Sequence, residues 1–252
     1  MIGQSQLALD AGGATSGLVV SLPFVFPAYL SLREAGDMGP SGAAVQERRD
    51  ALLERLGIDP ARYITLKQTH SRSVRTADRN NRPPEGTEGD GLLTADPSLA
   101  LGVTVADCMP IFLAAPDRNV FGVLHSGWRG TGIVGEAIGR AQREYGVRPR
   151  DLSVLLGPSI GPCCYRVDEE RAKEFARLWG EQSVARIDDA PHLDLRRANL
   201  EIAESRGVVD VSVIGECTVC NEAFGSYRRQ GAAEFTRMMA VVSGRSGKST
   251  GE

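Results

Sequence analysis

Cys108 and His125 stand at the ends of apolar runs in the stretch Val103 to Thr131, VTVADCMPIFLAAPDRNVFGVLHSGWRGT. VTVA, IFLAA and VFGVL have the β-branched, aromatic and aliphatic content of buried strands. Asp107-Cys108 and His125-Ser126-Gly127-Trp128-Arg129 follow them directly, so each reactive group falls where a rigid strand gives way to a turn. His70, in LKQTHS, sits the same way after the strand-like Tyr63 to Leu66. Two imidazoles and a thiol converging from three strand ends make a three-ligand zinc site with an open fourth position, as a catalytic zinc needs. Zinc is therefore expected on His70, Cys108 and His125. A buried cysteine is ordinarily a small hydrophobe, and a lone histidine is ordinarily structural. Two features argue otherwise here. Of three histidines, two share a strand-end context, and Gly127, Trp128, Arg129 and Gly130 combine backbone freedom, an aromatic face and a cation.

The rest of the chain must supply the scaffold. At 252 residues, with 42% apolar and 24% charged residues, it has an ordinary globular composition and enough length for a sizeable core. A net charge of −3 gives no electrostatic basis for binding nucleic acid. No run of 18 apolar residues is present to cross a membrane, and MIGQSQLALDAGG lacks the parts of a signal peptide. A cytoplasmic location is expected. Five cysteines, an odd number, point to reduced thiols or metal chemistry rather than a disulfide framework.

LVVSLPFVFPAYLSL predicts one or two strands, confined by Pro23 and Pro27 to edge or irregular positions. AAVQERRDALLERL predicts a helix with Val45, Ala51, Leu52 and Leu56 on one face. Residues 75–91 read as a surface loop ending at Asp90-Gly91. IVGEAIGRAQREYG predicts a helix with Ile133, Ala137, Ile138 and Ala141 inward and Gly146 closing it. Asp168 is the expected N-cap of DEERAKEFARLWG, LDLRRANLEIAESRG reads as a further helix, and VVDVSVIGEC and RMMAVVS as strands. No repeat or long linker divides the chain, so one α/β domain over 1–242 is expected, with 243–252 as a disordered tail.

The motifs resemble those of the YfiH family, long labelled multicopper polyphenol oxidase or laccase-domain proteins. KQTHS, DGLLT, LGVTVADCMPI, GVLHSGWRGT, LGPSIGPCCYRVDEE, LDLRRANL and CTVCNEAFGSYRR match in the family's order from about residue 64 to 237. The resemblance implies a single mixed α/β domain with a central mixed β-sheet flanked by helices, distantly like the Rho-activating deamidase toxins. It places the family's zinc ligands on His70, Cys108 and His125. It also implies purine nucleoside phosphorylase activity toward adenosine, inosine and methylthioadenosine, with adenosine deaminase activity, or, as in some members, a peptidoglycan-editing role. Arg129 and Arg228 are implied as pocket residues. The N-terminal blocks depart from the family pattern. LREAGDM stands for the first, with Arg33 as its arginine, and Arg48 sits where the pattern has asparagine. The closing Gly-Arg is Thr236-Arg237.

In such a site zinc would acidify a bound water for deamination, with Asp107 either shuttling protons or orienting a ligand. Phosphorolysis instead requires phosphate to be held beside a developing oxocarbenium ion, a task for Arg129, Arg228 and Arg33 through charge-assisted bonds. Trp128 offers a stacking face for a base. The expected partners are thus a purine nucleoside and phosphate, with no nucleic acid and no membrane; nothing in the sequence indicates subunit number. Copper is a possible single ion, but a multicopper centre needs far more imidazoles than three. Two other readings stay open: a hydrolase with Cys108 as nucleophile activated by a histidine, and a non-catalytic metal- or nucleotide-binding protein. Cys217-x-x-Cys220 is one zinc knuckle, but the adjacent Cys163-Cys164 is a poor substitute for a second, so no second metal site is expected.

Overall fold

The computed structural model describes residues 18–39 and 42–244. Thirteen strands and five α-helices run through them. The first half contains β1 (Val19–Ser21), β2 (Ala28–Ser31), α1 (Ala43–Arg55), β3 (Tyr63–Ile64), β4 (Val74–Thr76), β5 (Gly91–Thr94), β6 (Ala100–Val105), β7 (Met109–Ala115) and β8 (Val120–Ser126). The second half contains α2 (Ile133–Tyr145), β9 (Ser153–Leu156), α3 (Glu169–Trp179), β10 (Val184–Ile187), β11 (Ala190–Leu193), α4 (Leu195–Ser205), β12 (Asp210–Val213), α5 (Tyr227–Gln230) and β13 (Met238–Ser243).

The expected mixed α/β domain with flanking helices is present, with its strands shared between two stacked mixed sheets. One has the order β12-β9-β7-β8-β5-β4 and the other β1-β2-β13-β6-β3, with β10 and β11 as a separate ribbon. All seven residues of β7 and all seven of β8 are buried, because both faces of that sheet are covered. Along β7, Ile111 and Leu113 join the cluster containing Ile133, Ala137, Ile138 and Ala141 of α2, Phe175 of α3 and Ala198 of α4. The alternate Phe112 and Ala114 join Leu30, Val103, Met238 and Ala240 of the other sheet. The period-two alternation therefore separates a helix-facing from a sheet-facing core. Helix α1 covers the outer side of the second sheet, where Leu52 and Leu53 meet Met239 and Val241. Among the described residues no helix is long and apolar enough to cross a membrane.

Local signals govern the ends of the helices. The Asp168 side chain accepts from the Arg171 amide, and Gly146 closes α2 in the left-handed region at φ 65°. Two expectations change. β1 lies at the sheet edge as expected, but β2 is an interior strand between β1 and β13, because Pro23 and Pro27 fall outside the ladder instead of interrupting it. The buried face of α1 is Arg49, Leu52 and Leu53, while Ala51 is exposed. Leu52 packs as expected, with Leu56 against the same cluster, and Arg49 adds a polar anchor by reaching down to the Met38 carbonyl (Nη2–O 2.6 Å). Residues 245–252, most of the expected tail, lie outside the described residues.

Candidate metal centre

The β7–β8 ladder builds the centre. Pro110 pairs with His125 and Met109 with Ser126, so Cys108, just before β7, lies beside the start of the turn after β8. His70 arrives from the segment after β3. That segment is pinned by Gln68, whose side chain copies a strand: its Nε2 donates to the Thr104 carbonyl (2.9 Å) and its Oε1 accepts from the Thr104 amide (2.7 Å). One ligand atom from each of His70, Cys108 and His125 lies within 4.8 Å of the others. The two imidazoles meet edge to face, with ring centroids 4.8 Å apart. His125 is buried, Cys108 half-buried and His70 exposed, so the cluster opens to solvent on the His70 side.

Asp90, at the entry to β5, holds both histidines. It is fully buried. Its Oδ1 accepts from the His70 amide (3.0 Å) and faces His125 Nδ1 (2.9 Å). Its Oδ2 accepts from the amides of Thr69 (3.1 Å) and Ser71 (2.7 Å) and from the Ser71 hydroxyl (2.7 Å). Three successive amides converging on one carboxylate form an anion nest, and this explains why His70 takes a left-handed φ of 59°. With Nδ1 tied to Asp90, His125 turns Nε2 toward the cluster, the carboxylate–histidine arrangement of metal sites. Sequence reading placed Asp90 at the end of a surface loop and missed this role; the available signal was an Asp-Gly immediately preceding a buried strand.

The electrostatics follow from these contacts. Burial raises the Cys108 thiol, but the charge of His125 and hydrogen bonds from both imidazoles bring it down to about 6. Burial opposes protonation of His125, while the Cys108 thiolate and the Asp90 carboxylate push it up to about 9. Asp90 is raised by burial, yet the His125 and Ser71 donors hold its carboxyl well below the usual carboxylate range. Without a metal, Cys108 and His125 therefore form a thiolate–imidazolium pair at neutral pH. Two nitrogens and a thiolate, an oriented imidazole and an open side suit a divalent ion. The backbone leaves room for it, since a Cβ on Gly127 would lie 2.7 Å from Cys108 Sγ and 3.6 Å from His70 Cδ2. These residues could hold a metal ion.

The other residues singled out in the sequence are placed as follows. Asp107 has a left-handed φ of 78°. Its Oδ1 accepts from the Thr218 hydroxyl (2.7 Å) and its Oδ2 from the Arg228 amide (2.6 Å). It thus ties the loop before α5 to the residue next to Cys108. Arg228 turns its guanidinium onto the carbonyls of Cys164 (3.0 Å) and Arg166 (3.2 Å). The Arg129 guanidinium lies 5.0 Å from the Trp128 ring centroid and that of Arg171 lies 4.8 Å from it, so Trp128 contacts two cations. Arg129 is exposed. The Arg33 amide docks on the Ala223 carbonyl (2.8 Å) in the loop before α5. Arg48 donates to the Asp37 carbonyl (2.6 Å), and Arg237 pairs with the Asp37 carboxylate (3.1 Å), so the divergent N-terminal block is knitted to the chain's end.

A second group converges against expectation. One Sγ from each of Cys163, Cys164, Cys217 and Cys220 lies within 4.8 Å of the others. Adjacent cysteines can both face a C-x-x-C loop here because residues 161–165 form a tight turn: the amides of Cys164 and Tyr165 both reach the Gly161 carbonyl at 3.0 Å. The third histidine, His192, belongs to neither group at its ligand atoms; its Nδ1 lies 2.6 Å from the Pro162 carbonyl.

Residues 25–245 match the protein family described as multi-copper polyphenol oxidoreductase laccase. The chain belongs to this laccase-like family. Its three histidines are divided, with His70 and His125 at the centre and His192 against the Pro162 carbonyl, whereas a multicopper centre needs far more imidazoles than three. A relative from Deinococcus radiodurans, named purine nucleoside phosphorylase, is 34% identical over 233 residues, covering 92% of this chain and 85% of its own length. The Geobacillus stearothermophilus relative named purine nucleoside phosphorylase YlmD is 31% identical, covering 85% of this chain and 84% of its own. The crystal structure of YlmD superposes with a TM-score of 0.80 at 28% identity over 92% of this family member and 94% of YlmD. The Bacillus licheniformis protein YfiH shares the fold, with a TM-score of 0.82 at 24% identity over 92% of this chain and 98% of that one.

Proposed function

We propose that this protein is a zinc-dependent purine nucleoside phosphorylase that converts adenosine or inosine, and methylthioadenosine, with phosphate to the free base and a ribose 1-phosphate. The observation that carries it is the convergence of His70, Cys108 and His125 on one open point, with Asp90 fixing the imidazole of His125. The activity named for the relatives at 34% and 31% identity supports the substrate class. Zinc bound to these three ligands would supply a Lewis acid of net positive charge beside the substrate.

The chain's own residues do the rest. The exposed His70 side leaves the approach open. Arg129, exposed and braced on Trp128 just after the ligand His125, is assigned to phosphate, which a guanidinium can grip with two parallel bonds. Arg33 and Arg228 are assigned to the substrate side, Arg228 by shaping the Cys164–Arg166 wall rather than by direct charge. Deamination of adenosine at the same centre is the weaker part of the proposal. It needs a carboxylate free to move protons, whereas Asp90 and Asp107 both have their oxygens held by donors.

The test is turnover of adenosine and inosine, with and without phosphate, on protein of measured zinc content, alongside His70→Ala and Cys108→Ala. Phosphate-dependent release of adenine or hypoxanthine, lost with zinc and in both variants, is expected. Inosine formed from adenosine without phosphate would transfer the assignment to deamination. A second reading, Cys108 as a nucleophile in a Cys–His hydrolase, draws on the thiolate–imidazolium pair of the metal-free site. It predicts activity that rises when zinc is stripped.

A further inference from the structure

We propose that Cys163, Cys164, Cys217 and Cys220 hold a second zinc ion as a tetrathiolate that clamps the 159–166 segment to the 217–220 loop. The four sulfurs already stand at ligand spacing. Tetrahedral zinc with Zn–S of about 2.3 Å sets neighbouring sulfurs roughly 3.8 Å apart. Here Cys163 and Cys164 Sγ lie 3.7 Å and 3.5 Å from Cys220 Sγ, and all four sulfurs fall within 4.8 Å of one another with none joined in a disulfide. All-sulfur tetrahedral sets select zinc or iron–sulfur chemistry over hard cations.

The surrounding backbone is shaped for the four thiolates. The Gly161 amide donates to Cys217 Sγ at 3.2 Å. A Cβ on Gly161 would lie 3.1 Å from Cys163 Sγ and 3.3 Å from Cys217 Cβ, so only glycine leaves that space open. Binding releases four protons from the thiols and leaves the Zn(Cys)4 unit with two net negative charges. Two guanidiniums brace the same two segments: Arg228 on the Cys164 carbonyl (3.0 Å) and Arg229 on those of Thr218 (2.6 Å) and Val219 (2.8 Å). A consequence reaches the first centre. Thr218 lies inside the Cys217–Cys220 knuckle and donates to Asp107, so the clamp sets the position of the residue that precedes ligand Cys108. The site is independent of the nucleoside reading, since none of its ligands belongs to the first centre.

Metal analysis of the full chain purified without chelator tests the proposal. Two zinc ions per wild-type chain are expected, one in Cys220→Ser, one in His70→Ala, and none in the double variant. Cys220 is exposed, so serine there removes little packing. Should the variant misfold, cobalt substitution keeps the test decisive: thiolate charge-transfer absorption should survive Cys108→Ser, because four thiolates remain. A single zinc lost entirely in His70→Ala, iron in place of zinc, or a disulfide between any of the four cysteines in anaerobically purified protein would overturn the proposal.

Discussion

Replacing Asp90 by asparagine keeps the shape of the side chain and removes one acceptor oxygen. In the wild type, Oδ1 serves the His70 amide and His125 Nδ1, and Oδ2 serves the Thr69 and Ser71 amides and the Ser71 hydroxyl. At the Oδ2 position the new NH2 faces the Thr69 and Ser71 amides, and at the Oδ1 position the His70 amide, none of which can turn away. One or two buried donors left unsatisfied at about 1–3 kcal/mol each give a loss of roughly 1–6 kcal/mol. If the amide nitrogen faces His125, that imidazole must accept at Nδ1 and carry its proton on Nε2, the tautomer that cannot bind a metal through the Nε2 facing the cluster. Loss of such a carboxylate partner typically weakens metal binding about 10–100-fold, or about 1.4–2.8 kcal/mol. Urea denaturation of metal-free protein reads the first quantity, and zinc competition with a chromophoric chelator reads the second. The pH dependence has a defined sign. The Asp90 carboxyl titrates well below its ordinary value in the fold, so its stabilisation is complete above the ordinary value and disappears as pH falls through the lower folded one. The gap between wild type and Asp90→Asn should therefore be full at neutral pH and narrow in acid. A variant that binds zinc as tightly as wild type, with an unchanged urea midpoint, would refute the assignment of Asp90 as the residue that orients both histidines.

In metal-free protein, alkylation of Cys108 by iodoacetamide should rise with a midpoint near pH 6, as the thiol is drawn down to about 6 by His125, and zinc should protect it; a midpoint near pH 9 would dissolve the ion pair. Gly127→Ala should leave the far-ultraviolet spectrum unchanged but displace Cys108 Sγ, because the new Cβ would stand 2.7 Å from it; turnover should fall by roughly 10²-fold, and full activity would mean that the thiol is not a ligand. Asp168→Ala removes the side-chain cap of α3 and should lower stability by about 1 kcal/mol in calorimetry with catalysis intact, whereas no change would show that the cap on the Arg171 amide is not formed in solution.

The candidate triad of His70, Cys108 and His125 could be picked from the sequence because each member ends a run whose composition forces it into or toward a strand, and strand ends are where the chain can place a rigid yet reachable side chain. Helix α2 was legible for a similar reason: its apolar period agrees with the face it buries, and Gly146 supplies the left-handed stop. Local chemistry alone determined these features. Other features depend on groups far apart in sequence and carry no local mark. Asp90 reads as a loop residue until its buried oxygens are seen to collect amides from 69–71 and His125 from 35 residues away. β2 reads as an edge strand like β1 until β13 supplies its other neighbour. Cys163-Cys164 reads as a poor metal motif because ligand spacing is usually judged along the chain. The turn at Gly161 and the Ser159–Cys217 bridge bring both thiols to the C-x-x-C loop. Residue types determined which chemistry was available to this protein; only tertiary contacts decided which groups meet, because convergence across tens of residues is set by sheet register and buried hydrogen bonds.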